Sequence, residues 1–290
     1  MKRNLVLMIL GLVMVFSLVA CSNDDQSTET TEVETSESTE SVAEETTDSE
    51  VLRIGLEAGY PPFNWTQQDD SNGAIPIEGS PEFANGYDVQ IAKKIAEGLG
   101  RELVAVKTEW DGLVPALTSG KIDMIMAGMS PTAERAKQID FSTPYYQSEF
   151  VMVVHEDGEY ANATTLSDFS GANVVAQLNT SNDTVIDQIE GVNHLSPMSD
   201  FPTMRVAVQS GKADAYVAER PEAEAAQKAG VNLKLVELED GFETNPEDTS
   251  VAIGLVKGYE NIEQINEILN GISQEERNSI MDEMSKIQGE

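Results

Sequence analysis

Apolar positions fall along the 290-residue chain in three regimes. The first is a run over residues 5–16, behind Lys2 and Arg3 and with no acidic residue before Cys21. A basic start leading into an apolar stretch is the layout of a secretory signal peptide, and at this length a transmembrane anchor is the rival. The second regime, residues 22–50, is dominated by Ser, Thr and Glu and is nearly free of apolar groups. The third begins at Val51 and carries both structural periods. Residues 51–56 read as a buried strand. Val89, Ala92, Ala96 and Leu99 then recur at helical spacing behind Gly86-Tyr87-Asp88, and Gly100 stops the helix. Next come a strand at 103–106, a short helix at 113–119 behind Asp111, and a near-continuous apolar strand at 122–127. Strands alternating with helices predict an α/β fold with right-handed crossovers.

Charge sharpens this division. The chain holds 51 Asp+Glu against 18 Lys+Arg, a net −33, which argues against nucleic acid as a partner because phosphate binding needs a clustered positive surface. Eleven of the acids and none of the bases lie in residues 22–50. That stretch cannot bury enough apolar area to offset its ordering entropy, and it is expected to be a disordered tether extended by self-repulsion. From Val51 onward 40 acids face 16 bases, a net −24. The single cysteine, Cys21, excludes an intramolecular disulfide and a cysteine metal cluster, and the two histidines, His155 and His194, lie far apart. No phosphate-loop motif is present, and no cofactor or metal is expected. Leu18-Val19-Ala20-Cys21 resembles the lipobox of bacterial lipoproteins, which implies cleavage before Cys21 and acylation of that cysteine. The chain would then be held by lipid on the outer face of the cell membrane.

A partial repeat runs through the third regime. Thr118-Ser119-Gly120-Lys121-Ile122-Asp123-Met124-Ile125-Met126-Ala127-Gly128 is echoed by Gln209-Ser210-Gly211-Lys212-Ala213-Asp214-Ala215-Tyr216-Val217-Ala218-Glu219. Two similar α/β lobes would account for it. In this register Gly128 and Glu219 occupy equivalent places past the carboxyl end of a strand, where open α/β sheets bind ligands.

Four segments together resemble the family 3 extracellular solute-binding proteins, the amino-acid receptors of ABC importers. They are Arg53-Ile54-Gly55-Leu56-Glu57-Ala58-Gly59-Tyr60-Pro61-Pro62-Phe63, then Gly86-Tyr87-Asp88-Val89 with its helix, then residues 113–145, and residues 213–221. The third is the most specific, through Ala127-Gly128-Met129-Ser130-Pro131-Thr132-Ala133-Glu134-Arg135 followed by Ile139-Asp140-Phe141-Ser142. The resemblance implies a two-lobed periplasmic-binding-protein-like fold, each lobe a mostly parallel sheet flanked by helices. Lobe one would be 51–147 plus 254–290 and lobe two 154–248, joined by hinge strands near 148–153 and 249–253.

It also implies a site. Ser130-Pro131 would start a helix whose free N–H groups face the strand edge, a place suited to a carboxylate. Arg135, a planar fork, would bind that carboxylate, as the family's arginine at this position does. From the second lobe the family contributes a loop at a helix start, here Asn179-Thr180-Ser181-Asn182, with Asn179 and Ser181 standing where the family usually has glycines. Glu219 sits at the family's aspartate for the α-ammonium, with the Ser130 hydroxyl and the Gly128 carbonyl completing the shell. Glu57, Tyr60 and Trp110 would form the side-chain pocket, and Gln177 and Asp183 are further cleft candidates. An acid between two aromatic faces suits a cation, each ring adding roughly 0.5–2 kcal/mol. The implied function is a non-enzymatic, monomeric receptor that captures arginine, lysine or ornithine and delivers it to an ABC permease. Alternatives on the same scaffold are binding of glutamine, cystine or another polar amino acid, a sensor domain, and a dehydratase-type enzyme using Glu57 or Glu219 as general acid. Residues 67–84 read as a surface hairpin beside the cleft mouth.

Overall fold

The computed structural model describes residues 50–288. The expected signal peptide, Cys21 and nearly all of the tether lie outside the described residues. Two five-stranded sheets organise the rest, each with helices packed on it. The first runs in the order Glu102–Lys107, Val51–Leu56, Met124–Ile125, Gly254–Leu255, Asp140–Phe141. The second runs Asn193–His194, Asn173–Val175, Ala215–Glu219, Phe150–His155, Leu233–Val236. In both, the first two pairings are parallel and the last two antiparallel. The sheets are therefore mixed rather than mostly parallel. The cause is the same on each side: the fourth strand enters from the other sheet and runs against its neighbours.

The repeat is realised atom by atom. Asp123 accepts a hydrogen bond from the backbone N–H of Arg53 at 2.7 Å, and Asp214 accepts one from Asn173 at the same distance. Gly120 and Gly211 take φ of +73° and +70°, the left-handed turn that lets Leu113–Thr118 and Phe201–Gln209 hand over to the next strands. Met124 and Ala215 then pair with Ile54 and Val174, the inner strands of their sheets.

Burial follows the predicted periods. Leu52, Ile54 and Leu56 are fully buried, and the helix Tyr87–Leu99, packed beside Glu102–Lys107, buries Val89, Ile91, Ala92 and Ile95 in the same core. Its end is closed by Gly100 at φ +66°, whose N–H bonds back to Ala96 and Glu97. A second cluster, with Met152, Val154, Phe169, Val174, Ile186 and Val217, fills the other sheet.

Two short strands, Tyr146–Gln147 and Ser250–Val251, pair antiparallel between the sheets. Most of the 148–153 segment expected to flex is instead the start of Phe150–His155, a strand of the second sheet. Residues 67–84 are not a free hairpin: Ile75–Pro76 and Phe83–Asn85 join a four-stranded sheet with Asn64–Gln67 and Gly59–Tyr60, and Ile77 bridges to Ala105 at the edge of the first five-stranded sheet. The apolar run at 122–127 pairs as a strand only over Met124–Ile125.

The helix expected at Ser130-Pro131 does not form, and only a tight turn, Arg135–Lys137, appears there. The Ser130 carbonyl, which would accept the N–H of residue 134 in a helix, accepts Thr132 N–H at 2.9 Å and the Arg135 guanidinium at 2.8 Å. No helix dipole therefore supports an anion at this place.

Candidate functional site

The ends of Met124–Ile125 and Ala215–Glu219 face one narrow pocket. Its walls bring together Tyr60, Trp110, Gly128, Ser130, Arg135, Gln177, Thr180, Ser181 and Glu219. Ala127, Asn182 and Phe201 complete it.

Tyr60 is the central wall. Its ring stacks on Phe63 at 5.0 Å and on Phe201 at 4.4 Å, so aromatics from both sides of the cleft meet at the cavity. Its hydroxyl donates to the Glu219 carboxylate. Gly128 lies directly beneath: at φ +64°, a Cβ there would sit 2.6 Å from Cε1 of Tyr60. A side chain at this position, just beyond the strand, would displace the ring, which is why a glycine stands here. Burial pushes the Glu219 carboxyl above its ordinary range, while the Tyr60 hydroxyl, Asn182 and the Arg135 charge pull in the opposite direction.

Arg135 supplies the opposite charge. Its fork donates to the Ser130 carbonyl at 2.8 Å and to the Asn179 carbonyl across the cleft at 2.9 Å. The guanidinium carbon lies 4.9 Å from the centre of the Trp110 ring, within cation–π reach. Burial lowers its pKa to about 10, with Glu219 and Asp248 opposing the shift; the group stays charged at neutral pH. Two of its five N–H donors are engaged, which leaves others for a guest carboxylate.

On the facing side, Asn179 takes φ +58°, the left-handed conformation for which glycine is the usual choice and asparagine a tolerated one. Asparagine thus fills the glycine's role in the loop, and its side chain also donates to Asp111 at 2.9 Å. Thr180, the N-cap of Ser181–Val185, gives its hydroxyl proton to the Gln177 carbonyl at 2.6 Å.

Glu57 is displaced from its expected place. It lines a neighbouring space with Trp65, Lys107, Glu109, Asp200 and Pro202, and Gln177 stands between it and the main pocket. Gln177 Nε2 donates to Glu57 at 3.0 Å and to the Ser199 carbonyl at 3.0 Å, which leaves its Oε1 as the atom able to accept from a guest. Burial pushes the Glu57 carboxyl up to about 7; the Gln177 bond opposes this, and Asp200, Glu109 and Asp111 add to it. Asp183 is absent from this pocket but lines the wider space beside it with Trp110, Arg135, Asn179, Thr180 and Ser181; it pairs with His194 at 2.9 Å, while Asp187 takes the other ring nitrogen. Both histidines stand away from the cavity, and among the described residues no group of His, Cys, Asp and Glu is arranged to hold a metal.

Phe201 was legible. It stands eight residues before Gln209, as Trp110 stands eight before Thr118, so extending the repeat backward pairs the two aromatics. Asp248 carries no comparable signal.

The arrangement offers one carboxyl group and one cation in a shielded pocket with aromatic walls, groups that suit the two ends of an amino acid. Comparison with known proteins agrees. The model of the bacterial extracellular solute-binding proteins, family 3, matches residues 52–283. A probable histidine-binding protein of Campylobacter jejuni is 33% identical over 58% of this chain, an alignment spanning only 60% of that relative. The arginine-binding extracellular protein ArtP of Bacillus subtilis is 27% identical over 93% of this chain and 92% of its own. The structure of an ancestral arginine-binding protein bound to arginine superposes with a TM-score of 0.65 at 30% identity, covering 81% of this chain and 98% of that one.

Proposed function

We propose that this chain, which belongs to the family 3 bacterial extracellular solute-binding proteins, captures an amino acid with a cationic side chain between its two lobes and passes it to an ABC-type permease. The observation that carries the reading is the pairing of a buried carboxylate, Glu219, with the Arg135 fork in one aromatic-walled pocket. The guest's carboxylate would take the free donors of Arg135. Its α-ammonium would meet Glu219, the Ser130 hydroxyl oxygen and the Gly128 carbonyl. Its side chain would run between Tyr60, Trp110 and Phe201 toward Gln177, whose free Oε1 accepts from a guanidinium or ammonium. Glu57 then acts one layer behind, through its charge and through its hold on Gln177.

The relatives named for arginine and histidine support a basic guest. A second reading, glutamine, is favoured by one observation: with its carboxyl held near 7, Glu57 is not fully charged at neutral pH, and Gln177 Oε1 accepts equally from an amide.

The lobes in this proposal are 51–147 with 254–290, and 154–248, with Tyr146–Gln147 and Ser250–Val251 between them. Closure about those strands would exclude water from the ion pairs and strengthen them. The working form would be a monomer on the outer face of the cell membrane, held through a lipid on Cys21. The chain itself would carry out no chemistry.

Calorimetric titration of the protein with each of the twenty amino acids and with ornithine tests the reading. Arginine, lysine or ornithine is expected to bind in the micromolar range, which needs only about −8 kcal/mol. If no amino acid binds more tightly than millimolar, the receptor reading fails.

A further inference from the structure

Asp248 joins both walls of the pocket from outside it. It lies in the short helix Pro246–Thr249, immediately ahead of the crossing strand Ser250–Val251. One carboxylate oxygen accepts from the backbone and side-chain N–H groups of Asn245, at 3.2 and 3.1 Å, closing a capping box. That box fixes the rotamer, and the other oxygen accepts the Ser181 hydroxyl at 2.9 Å. The backbone carbonyl of the same residue accepts the Ser130 hydroxyl at 3.0 Å. Ser130 lies past the third strand of the first sheet, and Ser181 opens a helix on the second. The next residue continues the link, since the Thr249 carbonyl accepts from Ser148 N–H at 2.9 Å and its hydroxyl from Gln147 Nε2 at 2.7 Å.

Hydroxyl chemistry gives this arrangement its meaning. Each serine has one proton, and each spends it on Asp248. What Ser130 turns to the pocket is therefore a lone pair, able to accept from an ammonium and unable to donate to a carboxylate. Further, Asp248 can hold Ser130 and Ser181 together only when the two walls are close.

We propose that Asp248 is a positioning residue that latches the closed cleft and sets the Ser130 hydroxyl as an acceptor for the guest's ammonium. It touches no guest itself; it acts through the two serines. The proposal rests on the binding function above, and L-arginine serves as the probe. The chain has two tryptophans, Trp65 and Trp110, of which the latter lines the pocket, so stopped-flow fluorescence of the full chain reads both rate constants.

For Asp248→Ala the dissociation rate should rise about tenfold, the size of one hydrogen bond to a charged acceptor, while the association rate changes less than about twofold. Ser181→Ala, a mild change that keeps the fold, should raise the same rate by a similar factor, and the double variant should be no faster than the worse single. The ratio of arginine to glutamine affinity should not move. Factors that multiply in the double variant, an unchanged dissociation rate, or a loss carried by association would overturn the latch. If the wild-type chain binds no arginine, the binding function falls first. Hydrogen exchange of the unliganded chain then still decides the latch: Asp248→Ala, which removes the bond to Ser181 and keeps the carbonyl that holds Ser130, must speed exchange of the 181–185 amides, and unchanged exchange there refutes it.

Discussion

The two sheets are built alike and used differently. Both place an aspartate, Asp123 or Asp214, on the backbone of the inner strand, and both precede the third strand with a helical segment whose first aromatic, Trp110 or Phe201, walls the pocket. The divergence is confined to the carboxyl end of that strand and the loop beyond it. In the first sheet the strand stops short of Gly128, which yields its space to Tyr60, and the chain leads on to Arg135; in the second the strand ends on Glu219, a buried acid. A repeated scaffold has thus been given a cation on one side and a buried acid on the other; in the proposed receptor each lobe would bring one of the two groups to the guest.

The largest effect expected from breaking this asymmetry is at Arg135. Arg135→Ala should weaken every amino acid by more than about a hundredfold in calorimetry, because a guest carboxylate would be buried without a partner. Arg135→Lys should recover only part of that, a point charge replacing a fork. Glu219→Gln should cost about tenfold to a hundredfold for all amino acids alike, the range of a hydrogen bond to a charged group. A loss limited to basic amino acids would instead move Glu219 from the ammonium to the side chain.

The pH dependence sharpens the role of Glu57. Its carboxyl is raised from 4.5 to about 7 in the folded chain, so its contribution to stability is fully present below pH 4.5 and is lost as pH rises through 7. Asp88 and Glu222, both buried and both raised to about 7, act in the same direction. Thermal unfolding should show the chain more stable at pH 5.5 than at pH 8, and Glu57→Gln should flatten part of that slope. A cationic guest favours the charged carboxylate, so arginine should bind roughly five- to tenfold more tightly at pH 8 than at pH 5.5, with glutamine unmoved. Equal slopes for the two would place Glu57 out of range of the guest. The smallest effects belong to the paired aromatics: Trp110→Leu and Phe201→Leu should each cost about 1 kcal/mol of binding. A strongly unequal pair would break the likeness of the two walls.

How far the sequence could be read depended on the range of the interactions. The strands, the helix Tyr87–Leu99 and the repeat were legible because they rest on local period and turn chemistry. The mixed pairing was not, since nothing local marks a strand that enters from elsewhere. The helix at Ser130-Pro131 failed because Arg135, already named for a ligand, also takes the carbonyl the helix needed. Glu57, expected in the pocket wall, lies one layer behind it, because Gln177, 120 residues away, intervenes. Asp248 was invisible: its partners lie 67 and 118 residues distant and no repeat counterpart announces it.

The fourth strands have an implication for biosynthesis. Strands of the second sheet all fall within residues 150–236, whereas the first sheet gains Gly254–Leu255 only after that stretch has been made. As a nascent chain emerges from its amino end, the later-starting sheet can be completed first, while the earlier one waits with its centre open for its last strand. Met124–Ile125 and Asp140–Phe141, the two strands that Gly254–Leu255 will join, must therefore remain free of wrong partners through the synthesis of more than a hundred residues. A truncation before residue 254 would leave a whole second sheet beside an unfinished first one.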